Sequence, residues 1–188
     1  MLEYMNAKPW NLIKVAKLFA EQHALMHECI VVGLPSQIQH LEENILSAQA
    51  LSTRQKEYAI NILRRLSAEK RLCHGDFHPY NVIMSSHGPK TIDWSTALQG
   101  HPLADVARTS LILQLGVLLP GTPVIAQVKA NIARRFFHDV YIKRYFELSQ
   151  FDQRELAAWK LPIIAGEFGN GILEEDALLG LFLQYTDV

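Results

Sequence analysis

The sequence predicts an α+β fold, mainly α, and three observations carry that prediction. Apolar residues recur at helical spacing through the first seventy positions, one short segment at 71–94 turns β-prone around Gly and Pro, and helical periodicity returns from Pro102 onward. A chain of 188 residues with 49% hydrophobic and 20% charged content has the length and balance of one globular unit. We therefore treat 1–188 as a single domain with a helical part at 1–70, a loop and hairpin at 71–94, and a second helical part at 95–188.

The elements follow in order. After Pro9, which suits a first helical turn, Leu12, Val15, Phe19, His23 and Met26 mark the buried side of a long helix. GLPS at 33–36 interrupts the chain, and Ile38, Leu41 and Ile45 define a shorter amphipathic helix. Ser52 and Gln55 form a capping box for a third helix carrying Ala59, Ile62, Leu63 and Leu66. NVIM and KTIDW then flank SSHGP, a five-residue turn-rich link, as the two arms of a hairpin, with HGDFHPY before them as a loop. Helices are expected near 102–115, 123–148, 152–160 and 172–185, with the run GEFGNG at 166–171 breaking the last two apart.

Composition also excludes functions. With 18 basic and 19 acidic side chains the formal charge is -1, so bulk charge makes no case for nucleic acid or an anionic membrane. Cys29 and Cys73 are too few and too far apart for a disulfide scaffold or a cysteine-only zinc site. The longest apolar stretch, residues 111–120, is too short to span a bilayer. MLEYMNAKPW lacks the pattern of a signal peptide, so a cytoplasmic location is expected. On the helix around residues 134–145, Arg134, Arg135, Lys143 and Arg144 alternate with Phe136, Phe137, Tyr141 and Tyr145, the pattern of a solvated face over a core stripe.

Chemistry-bearing residues concentrate in the loop and hairpin. His74, Asp76, His78 and Asn81 share one loop, and Asp93 ends the second arm. Because a hairpin returns its second strand beside its first, Asn81 and Asp93 should meet at one end, with Asp76 projecting there too. An Asn–Asp pair of oxygen ligands suits a hard cation such as Mg²⁺, while a free carboxylate beside it can orient a hydroxyl and take its proton. A zinc hydrolase is an alternative, built on His74-x-Asp76-x-His78 with Cys73 and His87 as further ligands. Ordinary turn chemistry is another, since Asp and Asn often end loops and hairpins.

HGDFHPYN resembles the catalytic loop of aminoglycoside phosphotransferases and choline kinases, which share the protein-kinase fold. TIDW stands where protein kinases carry Asp-Phe-Gly, and HPLADVART resembles the Asp-Pro-x-x-Asp-x-Ala stretch that opens the following helix. The resemblance implies a kinase-like C-terminal lobe that transfers the ATP γ-phosphate to a hydroxyl of a small molecule. By it, Asp76 is the catalytic base, Asn81 and Asp93 hold Mg²⁺, and His74 and Asp105 support the loop. Ile83 and Ile92 would form an apolar floor under the adenine.

Two departures accompany it. The β-rich N-terminal lobe is not represented, since the residues before His74 read as helices and Val15-Ala16-Lys17, similar to the start of the lysine motif, lies within one. His101 replaces the aspartate before the proline and should weaken that helix's cap. A small lobe supplied elsewhere, or a dimer partner over the exposed cleft, is therefore expected to complete the site; a non-catalytic remnant binding a metabolite or partner is the alternative. Glu167, Glu174, Glu175 and Asp176 form an acidic group that could meet a cationic acceptor or serve helix starts and surface.

Overall fold

Apolar residues three and four apart on one segment have to bury one stripe, and the chain does so from its first described helix. The computed structural model describes residue 1 and residues 11–116, 123–170 and 175–186; the expected helical start at Pro9 and the acidic residue Glu174 lie outside them. Helix α1 (Leu12–His27) buries Val15, Ala16, Phe19, Ala20, His23, Met26 and His27. Helix α2 (Gln37–Ser47) starts at Ser36, whose side chain accepts from the Gln39 N–H. Helix α3 (Thr53–Leu63) opens with the expected Ser52–Gln55 capping box.

Four short strands follow: β1 (Arg71–Cys73), β2 (Val82–Ser85), β3 (Gly88–Thr91) and β4 (Leu98–Gly100). The hairpin β2–β3 is tighter than expected. Ser85 pairs with Gly88, so Ser86 and His87 alone connect the strands. Gly88, at φ +100, supplies the left-handed step that closes so short a link, and the Ser85 hydroxyl donates to its carbonyl at 2.7 Å. Strands β1 and β4 were not legible as strands. Each has three residues, too few to display an alternation, and they pair antiparallel from Arg71↔Gly100 to Cys73↔Leu98. That ladder pins both ends of the excursion 74–97, which carries the candidate residues of the loop and hairpin.

Helix α4 (Pro102–Leu115) begins where the sequence places it, with Pro102 in its first turn. The expectation of a weakened cap is corrected, because His101 Nδ1 accepts the Leu103 N–H at 3.1 Å. An imidazole nitrogen replaces a carboxylate oxygen as the acceptor, and the ring is held between Phe151 and Trp159. Helix α5 (Val124–Leu148) packs its buried Phe137, Tyr141 and Tyr145 on α1, with ring centroids of Phe19 and Tyr141 5.3 Å apart. Arg144 leaves this face to pair with Glu21 at 2.7 Å.

Helix α6 (Leu156–Asn170) runs unbroken through 166–170 and so overturns the expected break there, while Gly171 lies outside the described residues. The helix starts after a 3-10 turn at Gln153–Glu155 and runs through Pro162, Gly166 and Gly169. The glycines are there for proximity. A Cβ on Gly169 would sit 2.3 Å from the Asn44 carbonyl oxygen, and one on Gly166 would sit 3.1 Å from Leu41 Cδ2, so α6 lies directly on α2. Pro162 forgoes one helical hydrogen bond, and burial of Leu161, Ile163, Ile164 and Ala165 around it offsets the cost. Helix α7 (Glu175–Gln184) buries Leu178 and Phe182 against α6. The architecture is thus mainly helical, with two small antiparallel sheets between α3 and α4. Among the described residues no helix is long and apolar enough to cross a membrane.

Candidate active site

The loop 74–81 has little regular structure, so its shape must come from specific bonds. Phe77 anchors it from below: its ring is buried and stacks on Phe19 of α1 at 4.3 Å, and its carbonyl accepts from the Thr109 hydroxyl at 2.9 Å. Gly75 takes φ +77, and a Cβ there would lie 2.3 Å from the Thr96 carbonyl oxygen, so only glycine fits. Asp105, one turn into α4, receives the His74 N–H on Oδ2 at 2.7 Å and the Gly75 N–H on Oδ1 at 2.9 Å. His74 braces the other side, with Nδ1 accepting the Asp76 N–H at 3.2 Å and Nε2 donating to the Ile92 carbonyl at 2.9 Å. Both ring nitrogens are therefore spent on backbone groups of the loop and of the hairpin's end. Cys73 is buried beneath it, where loss of water raises its thiol pKa well above the ordinary value. Neither residue is presented as the zinc alternative requires.

Asp76 is partly exposed at the loop's crest and both its oxygens are engaged. Oδ2 lies 3.2 Å from His78 Nε2 and accepts from Asn81 Nδ2 at 3.3 Å; Oδ1 accepts from Arg108 at 3.3 Å. The His78 hydrogen bond is the largest influence on the carboxyl, burial works against it, and Arg108 adds to it, so the pKa falls below the ordinary value. Asn81 also donates Nδ2 to the Asp76 carbonyl at 2.9 Å, closing the five-residue interval. This amide orientation turns Oδ1 into the atom available to a cation.

Asp93 arrives beside Asn81 through the hairpin, since the Asn81 carbonyl accepts the Ile92 N–H at 2.9 Å. It is the one described non-glycine residue with positive φ (60°), a conformation that Asp tolerates better than most, and its exposed carboxylate accepts from the Ser95 hydroxyl at 2.7 Å. An amide oxygen and a carboxylate are hard donors, so the chemistry of this pair fits Mg²⁺ better than zinc. Ile83 pairs in register with Lys90, which by the two-residue alternation puts Ile83 and Ile92 on one face of the hairpin; that face is solvent-exposed rather than core.

Sequence reasoning missed the support behind these groups. His23 and His27 stand one turn apart on α1, and their Nε2 atoms lie 3.2 and 3.3 Å from Asp105 Oδ2. Their Nδ1 atoms each meet a tyrosine hydroxyl of α5, Tyr141 and Tyr145, at 2.7 Å. A carboxylate can only accept, so both histidines carry the proton on Nε2 and accept the tyrosine protons on Nδ1. The atoms are close enough to hold a metal, but each is already satisfied, which makes the group a buried brace for Asp105. Burial is the largest single influence and pushes the Asp105 carboxyl up, but the hydrogen bonds and electrostatic attraction of His23 and His27 together hold it well below its usual range.

Arg108 was also missed, although it lies within HPLADVART. It donates to Glu167 of α6 at 2.6 Å and reaches Asp76 with another nitrogen. Glu167 is almost fully buried in mid-helix, which corrects its placement at a helix start or on the surface; Glu175 and Asp176 do open α7. The structure brings His74, Asp76, Asn81 and Asp105 into one bonded set and places Asp93 at its edge.

A family model described as the phosphotransferase enzyme family matches residues 10–159, the span from α1 into α6. No curated protein matches the chain.

Proposed function

The chain belongs to the phosphotransferase enzyme family, and from that membership we propose that it is an ATP-dependent small-molecule kinase, transferring the γ-phosphate to a hydroxyl acceptor. The observation that carries the reading is the Asp76–Asn81 pair. Asp76 offers a partly exposed carboxylate held in place by its neighbours, and Asn81 binds it through Nδ2 while leaving its own oxygen toward a cation. Asp93 follows directly in space. Mg²⁺ held by Asn81 and Asp93 would neutralise charge on the nucleotide phosphates.

The remaining chemistry belongs to the chain's own groups. Asp76 stays ionised at neutral pH, because its pKa is lowered. It would accept a hydrogen bond from the acceptor hydroxyl and turn its oxygen toward phosphorus. As the new O–P bond forms and the bond to the departing ADP breaks, the hydroxyl proton passes to Asp76. A weak base suffices, since phosphoryl transfer proceeds through a loose transition state in which positioning matters more than proton abstraction. Ile83 and Ile92, with the exposed Tyr80 and Trp94 nearby, offer a surface for adenine and for whatever element covers the nucleotide, a small lobe or a partner chain.

Calorimetric titration with ATP, with and without Mg²⁺, tests the half-site. Mg²⁺-dependent binding that Asp93→Ala loses supports the reading, and acceptor-dependent ADP release that Asp76→Asn abolishes completes it. Failure of the protein to bind nucleotide under either condition overturns it in favour of a remnant that binds something else through the same face.

A further inference from the structure

Helix α4 holds the loop twice. Asp105 fixes its backbone at His74 and Gly75, and Arg108, three residues on and so on an adjoining face, reaches the side chain of Asp76. We infer that Arg108 is a positioning residue for Asp76: clamped by the buried Glu167, it sets the direction of the Asp76 carboxylate without touching the acceptor itself. The inference rests on reading Asp76 as the base.

The geometry separates this role from a mere bolt between α4 and α6. As a bolt, the Arg108–Glu167 pair is complete on its own. Nε meets Glu167 Oε1 at 2.6 Å, a second nitrogen meets Oε2 at 3.5 Å, and Asn170 donates to Oε1 at 3.1 Å. The third contact, to Asp76 Oδ1, adds nothing to that pairing, yet it fixes the carboxylate oxygen that His78 and Asn81 leave unbonded. With His78 on Oδ2 and Arg108 on Oδ1, Asp76 is held from both sides.

The charges support the same division. Arg108 and Glu167 are 13% and 2% exposed at their side chains, so each needs a counter-charge. Glu167 supplies it at the shorter distance, and Asp76 keeps the net negative charge of the three. Without Glu167, Arg108 would neutralise Asp76 and blunt it as an acceptor. The guanidinium is the side chain that fits, because it presents several donors in one plane and can meet two carboxylates at once, which a lysine ammonium on a flexible stem does poorly.

The test is a kcat-against-KM split on acceptor phosphorylation, read beside melting temperature. Arg108→Gln and Glu167→Gln should each lower acceptor-dependent kcat by about 100-fold, as for a misdirected group, with KM for ATP nearly unchanged. Arg108→Lys keeps the charge opposite Glu167 but cannot meet both carboxylates, so it should restore melting temperature without restoring kcat. A purely structural bolt would lower melting temperature, leave kcat of the folded protein at the parent value and be rescued in both by Arg108→Lys, and that result overturns the inference. Should Arg108→Gln fail to fold, Glu167→Gln and Arg108→Lys still decide it. The two readings also fail separately: activity unaffected by Asp76→Asn, or a parent without acceptor-dependent activity, sinks the kinase reading, whereas parental kcat in the Arg108 and Glu167 variants beside an inactive Asp76→Asn sinks only the role of Arg108.

Discussion

Asp105 Oδ2 accepts the backbone N–H of His74 at 2.7 Å, so a helix side chain fixes the main chain of a loop that has almost no regular structure of its own. Two further N–H groups reach the same oxygen, from His23 and His27, and Gly75 occupies the other. The carboxylate is buried and compensated by four donors, which is the condition under which a buried charge is tolerated.

Asp105→Asn should therefore be costly despite its shape. An amide keeps one acceptor oxygen and turns an NH₂ toward groups that also donate. Each buried donor left unmatched costs about 1–3 kcal/mol. Urea unfolding should register that loss, and the His74 and Gly75 amides should exchange faster while the helical circular dichroism is retained. An Asp105→Asn protein as stable as the parent would show that the brace is not needed.

The same network predicts acid sensitivity. Burial, reinforced by the neighbouring His27, lowers His23 to about 3, against an ordinary 6.5. A histidine that is neutral when folded but protonates when unfolded contributes fully above pH 6.5 and loses that contribution as pH falls toward 3. Its share of the slope is at most about 1.4 kcal/mol per pH unit. Asp105, whose pKa is also depressed, contributes above the ordinary carboxylate range and adds its own loss only below it. Stability measured by denaturant midpoint should thus decline from pH 6.5 downward, first gently and then steeply below pH 4. His23→Gln removes the titrating ring, so its profile should be flatter between pH 6.5 and 4; an unchanged slope would place the sensitivity elsewhere.

These contacts explain what could and could not be read from the residues. Helices α1, α2, α3 and α5 followed the apolar spacing because each buries one stripe, α4 is buried on nearly every side, and Ser52–Gln55 capped α3 as its side chains dictate. The bonded set around Asp76 was legible because its members lie within eight residues of loop, with Asp105 in a recognisable segment. Arg108 and Glu167 were not, since they are 59 residues apart and only the packing of α4 on α6 joins them. His23 with His27 and Tyr141 with Tyr145 repeat at four-residue spacing, a signal that matching pairs on two helices could have given. The glycines of α6 misled for a different reason: glycine marks a helix end when the backbone needs positive φ, and a helix contact when a neighbour comes too close for a Cβ.

That last distinction can be measured by comparing two glycines within helices. Gly169 of α6 faces the end of α2, where an added Cβ would lie 2.3 Å from the Asn44 carbonyl oxygen and 2.6 Å from Ser47 Oγ. Gly180 of α7 is exposed and has nothing within 4 Å of that position. Gly169→Ala must push α6 off α2 and strain the Asn44–Asn170 hydrogen bond, so a loss of about 1–3 kcal/mol is expected. Gly180→Ala gains helix propensity with no clash, so it should stabilise by about 0.5–1 kcal/mol. Opposite signs for the same substitution, read as shifts of the urea midpoint, follow only if α6 is continuous through Gly169 and seated on α2. A helix broken at 166–171 would leave Gly169 free of Asn44, and Gly169→Ala would then cost nothing by this route.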